Sequence, residues 1–310
     1  MFFKIIVAMT VVCLGLKIDL FASEQKTLYP NVYVDNCQHV LFQKSVNLEI
    51  FYSQVGEDAI LASVFSKEVG EGKGFYIDVG AHEPKAINVS YYFYKKGWKG
   101  ISIEPIKRYF DKLQSIRPND TNLNILVGKE EGEETLNEVV PEKGQEWASA
   151  LSTTKKDQKE TLEKQNYKMA SYKVPVTTMN KVFEKYVPKD QDVHFLKIDV
   201  EGSEKDVLLG LDLKKHRPIV VCIEVMSPGA IDGSKEWGSI LRDADYTLVL
   251  FDGLNNYYVR KESPDIVARF AYTADLLNFL RQTAMLNEPI KESAKPRFWK
   301  KIGNFICSIF

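Results

Sequence analysis

The segment Gly74-Phe75-Tyr76-Ile77-Asp78-Val79-Gly80-Ala81-His82 and the later Gly100-Ile101-Ser102-Ile103-Glu104-Pro105 constrain the chain more than any other feature. Each is a short apolar run that ends in an acid. The first passes into a turn of small residues, and the second stops at Pro105. Two neighbouring parallel strands with acids at their carboxyl ends form a nucleoside-binding crevice at the edge of an α/β sheet. The 26 positions from Asp78 to Glu104 fit one strand-helix-strand unit. The competing reading is that the two acids merely end strands and cap the helices that follow.

The turn after the first strand separates the possible cofactors. A dinucleotide needs a glycine-rich turn whose backbone amides can approach a pyrophosphate. Here the turn reads Asp78-Val79-Gly80-Ala81-His82-Glu83-Pro84, with one glycine. Glu83 would repel a pyrophosphate and Pro84 lacks an amide donor. A nicotinamide oxidoreductase is therefore disfavoured. S-adenosylmethionine (SAM) carries no phosphate. It offers an ammonium, a carboxylate, a sulfonium and a ribose diol. Asp78 can face the cationic amino-acid end, Gly80 lets the backbone pass close, and Glu104 can accept both ribose hydroxyls.

Four segments, in this order, carry a family resemblance. They are Ser53-Gln54-Val55-Gly56-Glu57-Asp58, Phe75 to Pro84, Lys96-Gly97-Trp98-Lys99-Gly100-Ile101-Ser102-Ile103-Glu104-Pro105, and Phe195-Leu196-Lys197-Ile198-Asp199-Val200-Glu201-Gly202. From about Ser53 to Val259 the chain resembles the FkbM family of methyltransferases. The resemblance implies an α/β, Rossmann-like class I methyltransferase fold, with a mixed seven-stranded sheet and helices on both faces. It implies SAM as cofactor, and most often a hydroxyl oxygen on a sugar or polyketide as acceptor. The cofactor-binding candidates are Glu57, Asp58, Asp78, Gly80, Ala81, His82, Glu104, Pro105 and Gly128. Glu57 and Asp58 fall in the family's early motif, and as acids at the start of a helix they have an equally good local role. Gly128 and Lys129 follow the expected third strand, where the family's adenine wall lies; a plain turn is the other reading.

The candidates for the chemistry are Asp199, Lys197, Glu201 and His82. Methyl transfer from a sulfonium is an in-line displacement with a good leaving group, so alignment is most of the task. A hydroxyl acceptor also benefits from a general base. Lys197, Asp199 and Glu201 alternate along one apolar strand and so share a face. That needs a reason, either catalysis or a salt-bridge network. Asp199 is the expected base or hydroxyl clamp, with Lys197 tuning it. Glu201 either joins it or caps the helix beginning near Ser203. His82 is an alternative base or a structural, SAM-contacting residue. Two carboxylates could hold Mg²⁺ with a substrate diol, but the sequence assigns no third ligand and no metal site.

The rest of the chain sets bounds. Lys and Arg number 41 against 42 Asp and Glu, which gives no reason to expect nucleic acid as a partner. The four cysteines form neither a disulfide framework nor a metal-ligand spacing. Residues 1–22, with Lys4 before an apolar run and Ala22-Ser23 as a cut point, read as a signal peptide, a membrane-surface anchor or a cytoplasmic helix. The protein is thus expected to be exported or membrane-associated, with a cytoplasmic location as the alternative.

Residues 23–50 read as an irregular lead-in and 51–265 as the methyltransferase domain. Within it, 130–172 is a variable insert or lid, where Trp147, Ala148, Ser149 and Ser152 either line an acceptor site or lie in a surface loop. The third strand is expected over Leu123–Val127, and the 130–172 stretch shows little regular pattern. Residues 266–310 form a helical extension, with Ala274–Leu286 its expected helix. Its basic and aromatic end, from Phe298, either rests on an anionic membrane or docks on the core. A sugar, glycan or small-molecule acceptor is the expected partner, and the oligomeric state is open. A binding or scaffold protein that keeps the fold without turnover is the competing class of function.

Overall fold

The computed structural model describes residues 27–29, 32–34, 40–42, 50–227, 231–232, 234–271 and 273. The expected targeting segment over 1–22, the helix over Ala274–Leu286 and the basic tail lie outside them. Among the described residues no helix is long and apolar enough to cross a membrane.

The central layer is a mixed seven-stranded sheet. Its strands are β1 (Phe75–Val79), β2 (Lys99–Ile103), β3 (Thr121–Leu123), β7 (Phe195–Ile198), β8 (Val220–Glu224), β9 (Tyr246–Phe251) and β10 (Asn255–Arg260). Their order is β9-β10-β8-β7-β1-β2-β3; β10 is antiparallel to both its neighbours, and β8, β7, β1, β2 and β3 pair parallel. The order reverses between β1 and β7. In an open α/β sheet that switch point opens a crevice at the carboxyl ends of the strands.

Alternating side chains give the sheet two apolar faces. Ile77, Val79, Leu196, Ile198, Val221 and Ile223 pack against Val182 and Phe183 of α5 (Met179–Tyr186), Val207 and Leu208 of α6 (Glu204–Leu209), and Trp237 and Leu241 of α7 (Ser234–Asp243). On the other face Tyr76, Phe195, Val220 and Cys222 meet Ile60 and Leu61 of α1 (Glu57–Val64) and Tyr92 and Phe93 of α2 (Val89–Lys95). Phe270, from the helix over 264–271, joins them. Helices therefore cover both faces, as expected. The alternation also places Asp78, Lys197 and Glu224 on the α1/α2 face, each two positions after an apolar neighbour that packs there.

Two expectations change. The third strand is not one run over Leu123–Val127: it leaves the sheet after Leu123, and β4 (Leu126–Val127) starts a second one. The 130–172 stretch is more regular than its sequence suggests. β5 (Gly132–Val139) pairs antiparallel with β6 (Met169–Thr177), which pairs parallel with β4. Between β5 and β6 lie a 3-10 helix over Glu146–Leu151 and α4 (Lys156–Lys164). The outer half of β5 is exposed and acidic, so it shows no apolar alternation; its inner half, Leu136 to Val139, is buried.

Candidate active site

The cleft at the switch point is lined by Gln54, Glu57, Asp78, Gly80, Ala81, Ile87, Asn88, Val89, Lys197 and Asp199. Sequence segments more than 100 residues apart supply it, because β1 and β7 are neighbours with Asp78 in register beside Lys197. Gly80 is required where the turn after β1 passes the turn after β7. Its φ is 85°, and a Cβ there would lie 1.8 Å from the Asp199 carbonyl oxygen. The Gly80 and Ala81 amides both donate to the Ile103 carbonyl at 3.0 Å, which fixes the turn against β2.

Asp78 is buried and accepts a short hydrogen bond from the Ser90 hydroxyl. Ser90 in turn accepts from the fully buried guanidinium of Arg117 at 2.8 Å. Arg117 also donates to Asp120 (2.9 Å), Tyr76 (2.9 Å) and Asn88 (3.1 Å). Asn88 caps α2 through the Tyr91 amide and donates to the Ala81 carbonyl, both at 2.8 Å. One buried cation thus sets the positions of Asp78 and Asn88 from behind the cleft. Burial raises the Asp78 pKa above its ordinary value, and Arg117 offsets part of that effect.

Glu104 is also buried. One oxygen accepts from the Ile106 amide at 2.7 Å and the other from the His82 amide at 2.8 Å. A carboxylate has about four acceptor positions, so each oxygen keeps one for a ligand hydroxyl. Burial pushes its pKa up to about 7 despite those two amides. Pro105 follows directly, and its carbonyl and that of Glu104 accept from Asn124 at 2.8 and 2.9 Å.

His82 does not stand free in the cleft. Its ring Nε2 lies 2.8 Å from Ser149 Oγ and the ring stacks at a tilt on Tyr109, 4.0 Å between centroids. Burial, then the nearby Arg108 charge, lowers its pKa to about 4, so the ring is neutral at pH 7. Its φ is 44°, a left-handed conformation that holds the ring toward the insert. Ser149 comes from the 3-10 helix of the insert and also shares a 2.6 Å hydrogen bond with Tyr109. Of the four expected acceptor-site residues, Ser149 reaches the turn after β1. Ala148 packs into the insert's own core, with Trp147 at its edge, and Ser152 bonds to Val139 and Ser149.

At the end of β7 the Lys197 ammonium is 2.8 Å from Asp199 Oδ2. Burial alone would raise Asp199, but the Lys197 charge and hydrogen bond outweigh it and hold the pKa below its usual value. Glu201 follows with φ 52°. Its carboxyl lies with those of Asp199 and Glu224, and oxygens of the three fall within 4.8 Å of one another. Burial and the Asp199 charge push both Glu201 and Glu224 well above the ordinary carboxylate range. The Lys197 charge thus favours the ionised form of Asp199, while burial favours the protonated forms of Glu201 and Glu224. Glu224 thus completes a trio of neighbouring carboxyls, and Lys197 already supplies a positive charge to Asp199. The sequence reading missed Glu224. Its only signal is an acid at the end of an apolar run, the same signal that Asp78 and Glu104 carry.

Three expected residues have other positions or partners. Glu201 does not cap α6, whose N-cap residue is Ser203; Glu204, the first helical residue, instead accepts from the Val200 and Gly202 amides of the preceding turn at 3.2 Å. Asp58 accepts from the Tyr52, Ser53 and Ala59 amides and from the Ser53 hydroxyl, which ties down the irregular segment before α1, and it does not line the cleft. Gly128 lies in the second sheet, beyond β4, and its carbonyl packs against Gly210, where a Cβ would come within 2.2 Å. The third strand of the main sheet ends at Leu123, so Asn124 rather than Gly128 follows it. Glu57 does line the cleft, with one oxygen accepting from the Val55 amide (2.9 Å) and the other from Asn255 (3.2 Å).

No curated protein matches the chain. The family model for the methyltransferase FkbM domain matches residues 78–248, from the acid that ends β1 to the middle of β9. With the class I sheet and the acid-lined switch-point cleft, this match over more than half the chain shows that the protein belongs to the FkbM methyltransferase family.

Proposed function

We propose that the protein transfers a methyl group from SAM to a hydroxyl of a sugar, glycan or related polyol. SAM is the usual donor of a methyltransferase domain, and the cleft suits it. Gly80 leaves a cradle that any Cβ would fill. The acids Glu57, Asp78 and Asp199 answer the ammonium and sulfonium, and Glu104 retains acceptor positions for a ribose diol. When bound, SAM supplies an electrophilic methyl group on a leaving sulfur.

The observation that carries the oxygen-acceptor reading is the pairing of Lys197 with Asp199. It favours the ionised form of Asp199 beside two further carboxyls, at the carboxyl edge of the sheet. Asp199 can take the proton of an acceptor hydroxyl as the oxygen attacks, and Glu201 and Glu224, whose burial favours the protonated form, can exchange hydrogen bonds with neighbouring hydroxyls. A polyol offers several such groups at once. His82, neutral and bonded to Ser149, positions the Glu104 amide contact rather than serving as the base.

The test is transfer of labelled methyl from SAM to glycan and lipid extracts of the native host by wild type and Asp199→Asn. The expected result is label in an alkali-stable ether, reduced about 100-fold or more in the variant. Equal labelling by both proteins would overturn the assignment of the base.

A further inference from the structure

Lys197 has more donors than the protein uses. It is 4 % exposed, yet it forms part of the cleft lining. An ammonium has three N–H donors. Among the described residues one goes to Asp199, at 2.8 Å, and no second hydrogen bond is made. A buried cation left short of acceptors is costly unless something else supplies them.

The neighbours do not meet that need. Glu57 is bonded by the Val55 amide and by Asn255, and Asp78 by Ser90. Both face Lys197 through charge alone. Among the described residues of the lining, Lys197 is also the one cation, set against Glu57, Asp78 and Asp199. A ligand carboxylate entering this cleft would be repelled by the three acids. Only at Lys197 would it find a charge of opposite sign and open N–H donors.

We propose that Lys197 binds the α-carboxylate of the cofactor's methionyl end, so that the cleft selects a zwitterionic adenosyl ligand over one lacking that carboxylate. This rests on the reading that the cleft holds SAM. It gives Lys197 two acceptors, Asp199 on the reacting side and the carboxylate on the cofactor side. Occupancy of the cofactor cleft then fixes the ammonium that holds the base. The arrangement also divides the cleft by charge: acids for the ammonium and sulfonium, and a single lysine for the carboxylate.

Calorimetric titration tests this with two ligands, S-adenosylhomocysteine and its decarboxylated analogue, on the full chain as wild type and as Lys197→Met. Wild type is expected to bind S-adenosylhomocysteine about 10- to 100-fold more tightly than the analogue, the range of a charge-assisted hydrogen bond. Lys197→Met is expected to bind the two equally. Equal binding by wild type, or a preference retained in Lys197→Met, overturns the proposal. A lysine that only tuned Asp199 would leave the preference unchanged. If Lys197→Met does not fold, the two wild-type titrations decide alone. Folded wild type that binds neither ligand overturns the SAM reading itself, and this proposal with it.

Discussion

At the scale of single residues, the site is a set of buried acids whose protonation is fixed by what each one touches. Glu104 is the clearest case for a pH measurement. Its carboxyl binds a proton more tightly folded than unfolded, with a pKa near 7 against an ordinary 4.5. Deprotonation therefore costs stability as pH rises from about 4.5 to about 7, by roughly 3 kcal/mol in all. His82 runs the other way. Its pKa is lowered to about 4, so it adds stability as pH rises from about 4 to about 6.5. Urea unfolding of wild type and Glu104→Gln at pH 5 and pH 8 separates the two. The variant loses an amide contact at both pH values, but relative to wild type it should gain up to about 3 kcal/mol on going from pH 5 to pH 8. Parallel behaviour would contradict the account. Asp78, Gly80 and Glu104 were legible in the sequence because each marks a strand end or a turn by type alone. Arg117 was not, since a lone arginine after a helix says nothing of the Tyr76, Ser90 and Asp120 it binds.

At the scale of elements, the insert is fastened to the turn after β1 through α3 (Lys107–Ile116). Arg108 pairs with Glu138 of β5, Tyr109 bonds to Ser149, and Lys112 pairs with Glu83 in the turn. Tyr172 of β6 donates to the same Glu138 at 2.7 Å. Ser149 joins the elements most directly, since its hydroxyl meets both Tyr109 and His82. Ser149→Ala leaves two buried polar groups with one partner fewer, at a cost of about 1–3 kcal/mol. Amide exchange is expected to quicken over residues 146–151 and 81–84, with β7 and β8 unchanged. Uniform exchange changes, or none, would contradict the coupling. This layer was the least legible. The end of β6, Val174 to Thr177, reads as a strand in the sequence, but β5 and the start of β6 show no period of two in hydrophobicity, and their pairing spans some 30 residues of chain. The parallel strands read well because both their faces are buried and their apolar runs are nearly continuous.

At the scale of the whole molecule, function follows from strand order. Placing β7 between β1 and β8 brings Asp78, Lys197, Asp199 and Glu224 to one edge on one face, although the chain separates the first and last by nearly half its length. A linear reading could list the acids and could not rank them. Asp199 and Glu201 were legible as neighbouring acids, but β7 stops at Ile198 and both lie in the turn beyond it; Glu224 needed the β7–β8 register, in which Lys197 lies beside Cys222 two residues before it. The same topology sets Asp199, the proposed base, beside the cleft, so that one lysine can serve both it and the proposed cofactor carboxylate. The central claim is that this cleft takes an adenosyl sulfonium and rejects a dinucleotide. Calorimetric titration of the folded wild-type protein with S-adenosylhomocysteine and, separately, with NAD⁺ tests it most directly. The account predicts one site of micromolar affinity for S-adenosylhomocysteine and no heat of binding with NAD⁺. Binding of NAD⁺, or of neither, would contradict it.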